Sequence, residues 1–418
     1  MRAGMKIKPF KALRPVAGKA GQVASRPYDV LDSNEARIEA GDNPCSFLRI
    51  VKPEITLAEG TDPYSPQVYA AGRANFQQLL DKGIFFQEQQ ECLYIYELIR
   101  EGRSQSGIVA CAWVEDYTGD RIKKHELTRP DKELDRVNHI RVSMLNAEPV
   151  FLAYRPDAAL EAVVEAIKKD DPVYDFKADD GVAHRLWVVK DGEIINTIVA
   201  GFDNVPATYV ADGHHRTAAA VRVGIDLKNA NPNHTGAEQY NYFLAVHFPA
   251  DELQIFDYNR VVKDLNGLSP EQFIKQISRS FTVAKQGRDC YQPRTLHEIG
   301  MYLDGNWYVL KAHDDTYDDA DPIGVLDNTI LSQQILGPVL NITDLRADKR
   351  IDFVGGIRGL RELQHRVDSG AMKVAFAMYA VSMQQLLDIA DTGNIMPPKS
   401  TWFEPKLRSG LLVHSLEI

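Results

Sequence analysis

The sequence predicts a mixed α/β fold, α+β in the sense that strands and helices alternate without one strict repeat. Three observations carry this. Ala207 to Ala211, with Thr208, Tyr209 and Val210, is a strand-forming run that meets a tight turn at Gly213 and then an Ala-rich helix from Thr217 to a C-cap at Gly224. Two apolar and aromatic runs, Cys92 to Arg100 and Gly107 to Glu115, flank Gly102 as a hairpin. Ile351 to Leu360 is a strand entering a Gly-rich turn and a helix. At 418 residues, 44% hydrophobic and 25% charged, the chain is long enough for about two or three domains. We place these at residues 1–90, an extended and helical segment packed on a core, 91–250, the core, and 251–418, a C-terminal α/β domain.

In chain order, Pro9, Pro15, Gly18, Gly21 and Pro27 predict extended segments and loops up to Leu31. Asp32 or Ser33 caps the next helix, and Asp32 with Glu35 has the spacing of a capping box. Asp29, just before it, belongs either to this capping region or to a site. Pro44 to Ile50 reads as a short strand and Ser65 to Lys82 as a helix with Val68, Ala71, Phe76 and Leu79 on one side. Pro130 opens a helix to about Leu145. Lys132, Arg136, His139 and Ser143 share one face of it, read as solvated, while Val137, Ile140 and Met144 line another. Pro149 to Tyr154 is a strand, Pro156 to Lys169 a helix, Leu186 to Ile195 a hairpin turning at Asp191-Gly192, and Tyr242 to Phe248 a strand.

Beyond Pro249, Ser269 caps a helix that has Pro270 at its first position, and Met301 to Ala312 is a hairpin turning at Asp304-Gly305-Asn306. Leu326 to Leu336 is a helix, Val374 to Val381 a buried strand, and Ser382 caps a helix to Ala390. The acidic run Asp314 to Asp321 lacks the Gly and Glu positions of an EF-hand loop and reads as solvated. Met396 to Leu407 is a Pro-stiffened loop whose lysines and hydroxyls, Lys399 and Ser400 among them, either close over an anion or serve C-terminal docking.

Charge and composition narrow the function. A formal net charge of −10 argues against a nucleic-acid partner, which would call for Lys and Arg patches, but leaves room for a small charged ligand in a local basic pocket. The four cysteines, Cys45, Cys92, Cys111 and Cys290, are widely spaced and read as free thiols of a reducing compartment. No apolar run reaches membrane-spanning length, and the first residues lack the apolar region of a signal peptide, so no membrane partner is expected and the expected location is the cytoplasm.

Chemistry concentrates in Asp212-Gly213-His214-His215-Arg216-Thr217. A helix start offers backbone N–H groups without intrahelical partners and the positive end of a dipole, both of which favour an anion. Gly213 lets the backbone approach a ligand, Arg216 can hold phosphate or carboxylate through paired hydrogen bonds, and Asp212 can accept a proton or bind a metal. The alternative is a capping Asp with two surface histidines. A second polar stretch, His125-Glu126 followed by Arg129 and Arg136, has the composition of a general base acting on a hydroxyl near bound phosphate. Asp29, Arg129, Arg136, His139, Lys399 and Ser400 are further candidates for contact with a substrate or anion.

His125-Glu126, a following helix and then Asp212 to Arg216 entering another helix resemble the ParB/sulfiredoxin-like superfamily, and within it the free-serine kinases. Tyr28-Asp29-Val30, His125 to Arg136, Asp212 to Arg216 and Met396 to Thr401 together resemble a bacterial and archaeal family known as domain of unknown function 1015. The resemblance implies a ParB-like core with inserted elements. It implies Glu126 as the base that takes the serine hydroxyl proton, with His125 beside it, and Asp212 as a supporter of catalysis or a magnesium ligand. His214, His215 and Arg216 would cradle the phosphates. The implied function is Mg2+-dependent transfer of a phosphoryl group from a nucleotide, ATP or ADP, to the hydroxyl of a small amino acid such as free L-serine. A phosphatase using the same cradle, or a nucleotide-gated binding protein without catalysis, are the alternatives. A homodimer is compatible with all three. The segment between the two motifs is longer than in a compact ParB-like domain, and the C-terminal part has no counterpart in the small kinases. His214 follows Gly213 where sulfiredoxin has its reactive Cys, which argues against sulfinic acid reduction.

Overall fold

The computed structural model describes residues 4–417 and divides them into two units. The first takes in residues 4–124, Thr128–Leu253 and 405–417, and the second His125–Leu127 and Gln254–Glu404. Secondary structure is mixed α/β throughout, as the alternation of strand and helix signals predicts.

A nine-stranded sheet forms the first unit. Its strands are β1 (Ile7–Lys8), β2 (Leu93–Arg100), β3 (Arg103–Trp113), β4 (Ile122–Lys123), β5 (Val150–Tyr154), β6 (Tyr174–Lys177), β7 (Ala183–Val189), β8 (Thr208–Asp212) and β9 (Tyr242–Pro249). They lie in the order β4-β8-β5-β9-β3-β2-β7-β6, with β1 on β3. Pairing is antiparallel except for β4 with β8 and β5 with β9. Strands β5 and β9 are buried at every residue, and their near-continuous apolar sequences suit strands covered on both faces. The hairpin at Gly102 forms as expected, its second strand starting earlier, at Arg103.

Six helices of eight or more residues belong to this unit: α1 (Ser33–Ala40), α2 (Pro66–Asp81), α3 (Pro130–Ser143), α4 (Ala158–Ile167), α5 (Gly192–Phe202) and α6 (His214–Ala230). Leu160 of α4, Ile198 and Phe202 of α5 and Val221 of α6 join Leu93, Ile108 and Leu152 in one core. Asp32 caps α1, accepting from the Glu35 N–H at 2.8 Å while Glu35 accepts from the Asp32 N–H at 2.9 Å, the reciprocal box that its sequence predicts.

Four sequence expectations are corrected. Pro44 to Ile50 is not a strand: the Asn43 side chain accepts from the Cys45 N–H at 2.9 Å, an Asx turn that redirects the chain into a helical turn at Leu48–Val51. Leu186 to Ile195 is not a hairpin. Asp191 accepts from the N–H groups of Glu193 and Ile194 at 2.8 and 3.0 Å and caps α5, whose Ile195, Ile198 and Phe202 recur at helical spacing. Gly224 does not end α6, which continues to Ala230. It allows close packing, since a Cβ there would lie 2.4 Å from the Tyr240 carbonyl oxygen. The polar face of α3 is not solvated, for Arg136, His139 and Ser143 are buried.

The second unit is built on an antiparallel sheet of β10 (Tyr258–Val262), β11 (Phe281–Gly287), β12 (Glu298–Leu303), β13 (Asn306–Ala312), β14 (Ile351–Gly355) and β15 (Val374–Ala377), in the order β11-β13-β12-β15-β10-β14. Asp304 and Gly305 turn the β12–β13 hairpin with φ of 50° and 73°, the left-handed pair that matches strand twist. Helices α7 (Pro270–Ile277), α8 (Leu360–Asp368) and α9 (Met383–Asp391) belong to this unit, and Ser269 and Ser382 cap α7 and α9 with full capping boxes. The expected helix at Leu326 to Leu336 is Asp327–Leu331 continued by a wider π turn, Ser332–Leu336. All four cysteines are free, and only Cys290 is exposed.

Gly224 gives a test in which packing and propensity oppose each other. Helix propensity alone has Gly224→Ala stabilising α6 by about 1 kcal/mol. The approach of Tyr240 reverses the sign, so we expect the variant to melt below the wild type, measured by circular dichroism. A higher melting temperature would show that Tyr240 yields readily.

Candidate functional site

The opening motif sits at a strand-to-helix junction in the first unit. Pairing of β8 with β5 is irregular between Val210 and Asp212, so the strand breaks register as it ends. Gly213 follows in the left-handed region with φ of 92° and serves as N-cap of α6. Glycine is required there twice over, because a Cβ would be strained and would stand 3.0 Å from Arg216 Nε. Thr217 returns both its N–H and its hydroxyl to the Gly213 carbonyl, at 2.9 and 3.0 Å. The N–H groups of His214, His215 and Arg216 precede the first intrahelical bond, at the positive end of a helix 17 residues long.

Arg216 lies inside the unit, only 6% exposed. One Nη donates to the Pro149 carbonyl at 2.8 Å, and the other stands 3.6 Å from Asp212 Oδ2 and 3.8 Å from Asp29 Oδ2. Its Nε–H is buried with no acceptor among the described residues. Burial opposes the charge, but Asp29, Asp212 and Glu148 outweigh it and hold the guanidinium above its ordinary range. Lys406 Nζ donates to the same Asp212 oxygen at 3.1 Å. For Asp212, burial pushes upward, yet Lys406 and then Arg216 dominate and hold the carboxyl far below the usual range. Asp212 is therefore an anion locked between two cations, with its side chain still 26% exposed.

A second arginine extends the network. Arg136, 7% exposed, donates from Nε and one Nη to Asp135 Oδ2 at 3.0 and 2.7 Å, approaches Glu148 Oε2 at 3.5 Å, and lies 3.9 Å over the Tyr28 ring. Glu148 also accepts from the Tyr28 N–H at 3.1 Å and from the Ser409 hydroxyl at 3.0 Å. Burial pushes the Glu148 carboxyl up, with Arg216 and Arg136 pulling against it. These contacts fix the Tyr28–Val30 turn, and with it Asp29, beside Arg216. Arg136, His139, Glu148 and Arg216 line a cavity of about 30 Å³ in which one water would fit. Buried His139 Nε2 has no partner among the described residues, and burial, then Arg136, keeps that ring from protonating.

His214 is buried while His215 is half-buried. Burial is the largest influence on His214 and takes its pKa down to about 4, with Asp212 opposing and His215, Arg216 and Lys124 adding to the fall. His215 Nε2 accepts from the Arg129 backbone N–H at 3.0 Å, so a neutral His215 carries its proton on Nδ1. The Arg129 side chain turns outward to Asp131 at 2.9 Å. The first unit thus gathers Asp29, Arg129, Arg136, His139, Asp212, Gly213, His214, His215, Arg216 and Thr217 around one junction.

The remaining candidates, His125, Glu126, Lys399 and Ser400, belong to the second unit. The buried His125 accepts at its carbonyl from the Met396 N–H at 2.8 Å, and its Nε2 is 3.4 Å from the Thr401 hydroxyl. Glu126 is half-buried. Ser400 donates to the Pro397 carbonyl at 2.7 Å, which closes the loop on itself, and exposed Lys399 places Nζ 5.7 Å over the Tyr258 ring. Sequence reading missed Lys406, Glu148 and Asp135 as parts of the charge network. Lys406 had a signal, a second lysine on a Pro-stiffened loop, whereas nothing local marks Glu148 as a partner of two arginines.

The buried histidines of the first unit give a pH prediction. His184, His247 and His414 are held down to about 3 by burial, His214 to about 4, and His139 well below its ordinary value. Each binds a proton more weakly folded than unfolded, so its contribution to stability is full above about pH 6.5 and falls as pH drops from there toward the folded value. Asp212, also depressed, adds a loss of the same sign below about pH 4. Urea midpoints should therefore fall between pH 7 and pH 5, before most carboxylates titrate. His247→Leu should flatten that fall, because both ring nitrogens of His247 are buried without partners among the described residues. An unchanged pH slope in that variant would mean that His247 takes up its proton in the folded chain as readily as in the unfolded one.

The comparisons with known proteins bear on lineage. No curated protein matches the chain. Among solved structures, SbnI with C-terminal truncation, from Staphylococcus aureus, is similar at 11% identity and a TM-score of 0.39, over 74% of this chain and 89% of its own. A free serine kinase in complex with AMP is similar at 11% identity and a TM-score of 0.35, over 70% and 89%. A conserved hypothetical protein from Pyrococcus furiosus follows at 14% identity and 0.34, over 71% and 93%. The model of the family described as Protein of unknown function (DUF1015) matches residues 7–329, a span that contains Asp29, Glu126 and the whole Asp212 to Thr217 turn, and the chain belongs to that family.

Proposed function

We propose that the Asp212 to Thr217 junction binds the phosphates of a nucleotide, and that the protein is a phosphotransferase on a ParB/sulfiredoxin-like core. The reaction would move a phosphoryl group from ATP or ADP to the hydroxyl of a small amino acid, free L-serine first. One observation carries the reading: a carboxylate clamped by Lys406 and Arg216 stands at the open N-terminus of α6. Phosphoryl transfer needs positioning and charge neutralisation more than covalent help from the protein. Here the amides of His214 and His215 supply donors, Lys406 supplies a cation, and Arg216 works from beneath by fixing Asp212 and Asp29. The sequence resemblance to free-serine kinases supplies the transfer itself and gives Glu126 the role of base.

Magnesium fits this junction in one form. Asp212 Oδ2 already faces two cations, which leaves Oδ1 as the oxygen it can offer a metal. One carboxylate, substrate phosphates and waters make an ordinary magnesium shell, whereas an all-protein cage is not present in these residues. Bound there, the ion would neutralise charge developing on the phosphates.

The test combines nucleotide, magnesium and a panel of hydroxy amino acids, with phosphorylated product read by mass spectrometry. Asp212→Asn should fold and transfer at least about a hundredfold more slowly. Glu126→Gln should keep its melting temperature and nucleotide affinity while transfer falls by about two to four powers of ten, the range for loss of a general base. Free phosphate without phosphorylated amino acid would point to water as the acceptor, and nucleotide binding with no product to a sensor. Wild-type transfer by Glu126→Gln would remove it from the mechanism.

A further inference from the structure

Arg260 occupies a place where the β-strand pattern calls for an apolar residue. Along β10, residues two apart share a face, so Arg260 lies on the side of Val262, which belongs to the core of the second unit. Arg260 is 1% exposed, and among the described residues no carboxylate pairs with it. One Nη donates to the Tyr258 carbonyl on its own strand and the other to the Lys399 carbonyl at 3.1 Å. Its carbon centre lies 5.5 Å from the Phe353 ring. Burial takes the guanidinium down to about 9, with only Tyr258 opposing. A charge desolvated without a counter-ion is unfavourable for folding, and well-packed apolar residues often replace buried charges at no loss or with a gain. Stability does not explain this residue, so its hydrogen bonds must be considered.

The carbonyl it grips belongs to a shaped loop. Lys399 has φ of 59°, a left-handed conformation that a lysine adopts only when held there. The Ser400 hydroxyl closes the same turn on the Pro397 carbonyl at 2.7 Å. At its two ends the loop holds His125, through the Met396 N–H to the His125 carbonyl at 2.8 Å and the Thr401 hydroxyl beside His125 Nε2 at 3.4 Å. Glu126 is the next residue.

We propose that Arg260 is a positioning residue for Glu126, acting through the 396–401 loop: the buried guanidinium pins the Lys399 carbonyl, and the pinned loop fixes the His125 backbone and ring. The assignment of Glu126 as base rests on the function proposed above; the mechanical coupling does not.

Arg260→Met and Arg260→Lys in the full chain test both parts. Arg260→Met should melt at or above the wild-type temperature, yet exchange amide hydrogens at least about tenfold faster over 125–127 and 396–401, with the 258–262 strand unchanged. Transfer should fall about tenfold or more in kcat at an unchanged nucleotide KM. Arg260→Lys, which restores one donor, should recover part of the protection and part of the rate; it also serves if Arg260→Met does not fold. Wild-type exchange over 125–127 in either variant overturns the proposal. Altered exchange at 125–127 with wild-type turnover in Glu126→Gln would instead leave the brace standing and sink the base, so the two failures are distinguishable.

Discussion

A guanidinium keeps its proton at physiological pH, and the first unit buries one at Arg216. Every charged group around it is arranged to answer that fact. Asp29 comes from a short turn near the N-terminus, Glu148 from the approach to β5, and Asp212 from the end of β8, three segments far apart in sequence. Breaking one partner out of a buried pair costs about 3–5 kcal/mol, because the remaining charge stays desolvated. The junction is therefore held from below. Gly213 completes the arrangement, since a Cβ there would crowd the guanidinium at 3.0 Å and would strain the backbone at φ of 92°.

The same contacts fix the charge state of Asp212. A carboxylate with a single cationic partner could protonate or swing away when an anionic ligand arrives. With Lys406 on one side and Arg216 on the other it stays ionised across physiological pH and keeps its orientation. In the proposed reaction the cations would also offset the repulsion between Asp212 and phosphate. Lys406 is 15% exposed and Arg216 is sealed, so in that reading the first would meet the ligand and the second would only support.

Much of this was readable from the sequence where the signal is local. The Asp32 with Glu35 box, the Ser269 cap, the Asp304-Gly305 turn, and the Gly213 junction are set by neighbours within four residues. Errors arose where one residue type serves two structures. Asp191-Gly192 has the chemistry of a hairpin turn and of a helix start, and only the apolar spacing beyond it decides. Gly224 looks like a helix end but is a contact with Tyr240. The face bearing Arg136 and His139 looked solvated because a helical wheel cannot show that Asp135, Glu148 and Tyr28 cover it. Lys406 meets Asp212 across 194 residues, a distance over which spacing carries no information.

The charges in this protein sort into two kinds by what they contribute. Exposed pairs such as Arg129 with Asp131 or Lys228 with Glu115 are worth well under about 1 kcal/mol each and hold little in place. The buried arginines are different, since Arg136 and Arg216 with their acids give at best a small net gain over apolar packing, and Arg260 lacks even an acid. What they supply is direction. Each fixes particular oxygens, the Asp135 and Glu148 carboxylates, Asp212, or the Lys399 carbonyl, in ways that apolar side chains of the same volume cannot. Such placement sets oxygens at fixed positions, and it is on those positions, more than on the composition of any one motif, that the proposed site rests.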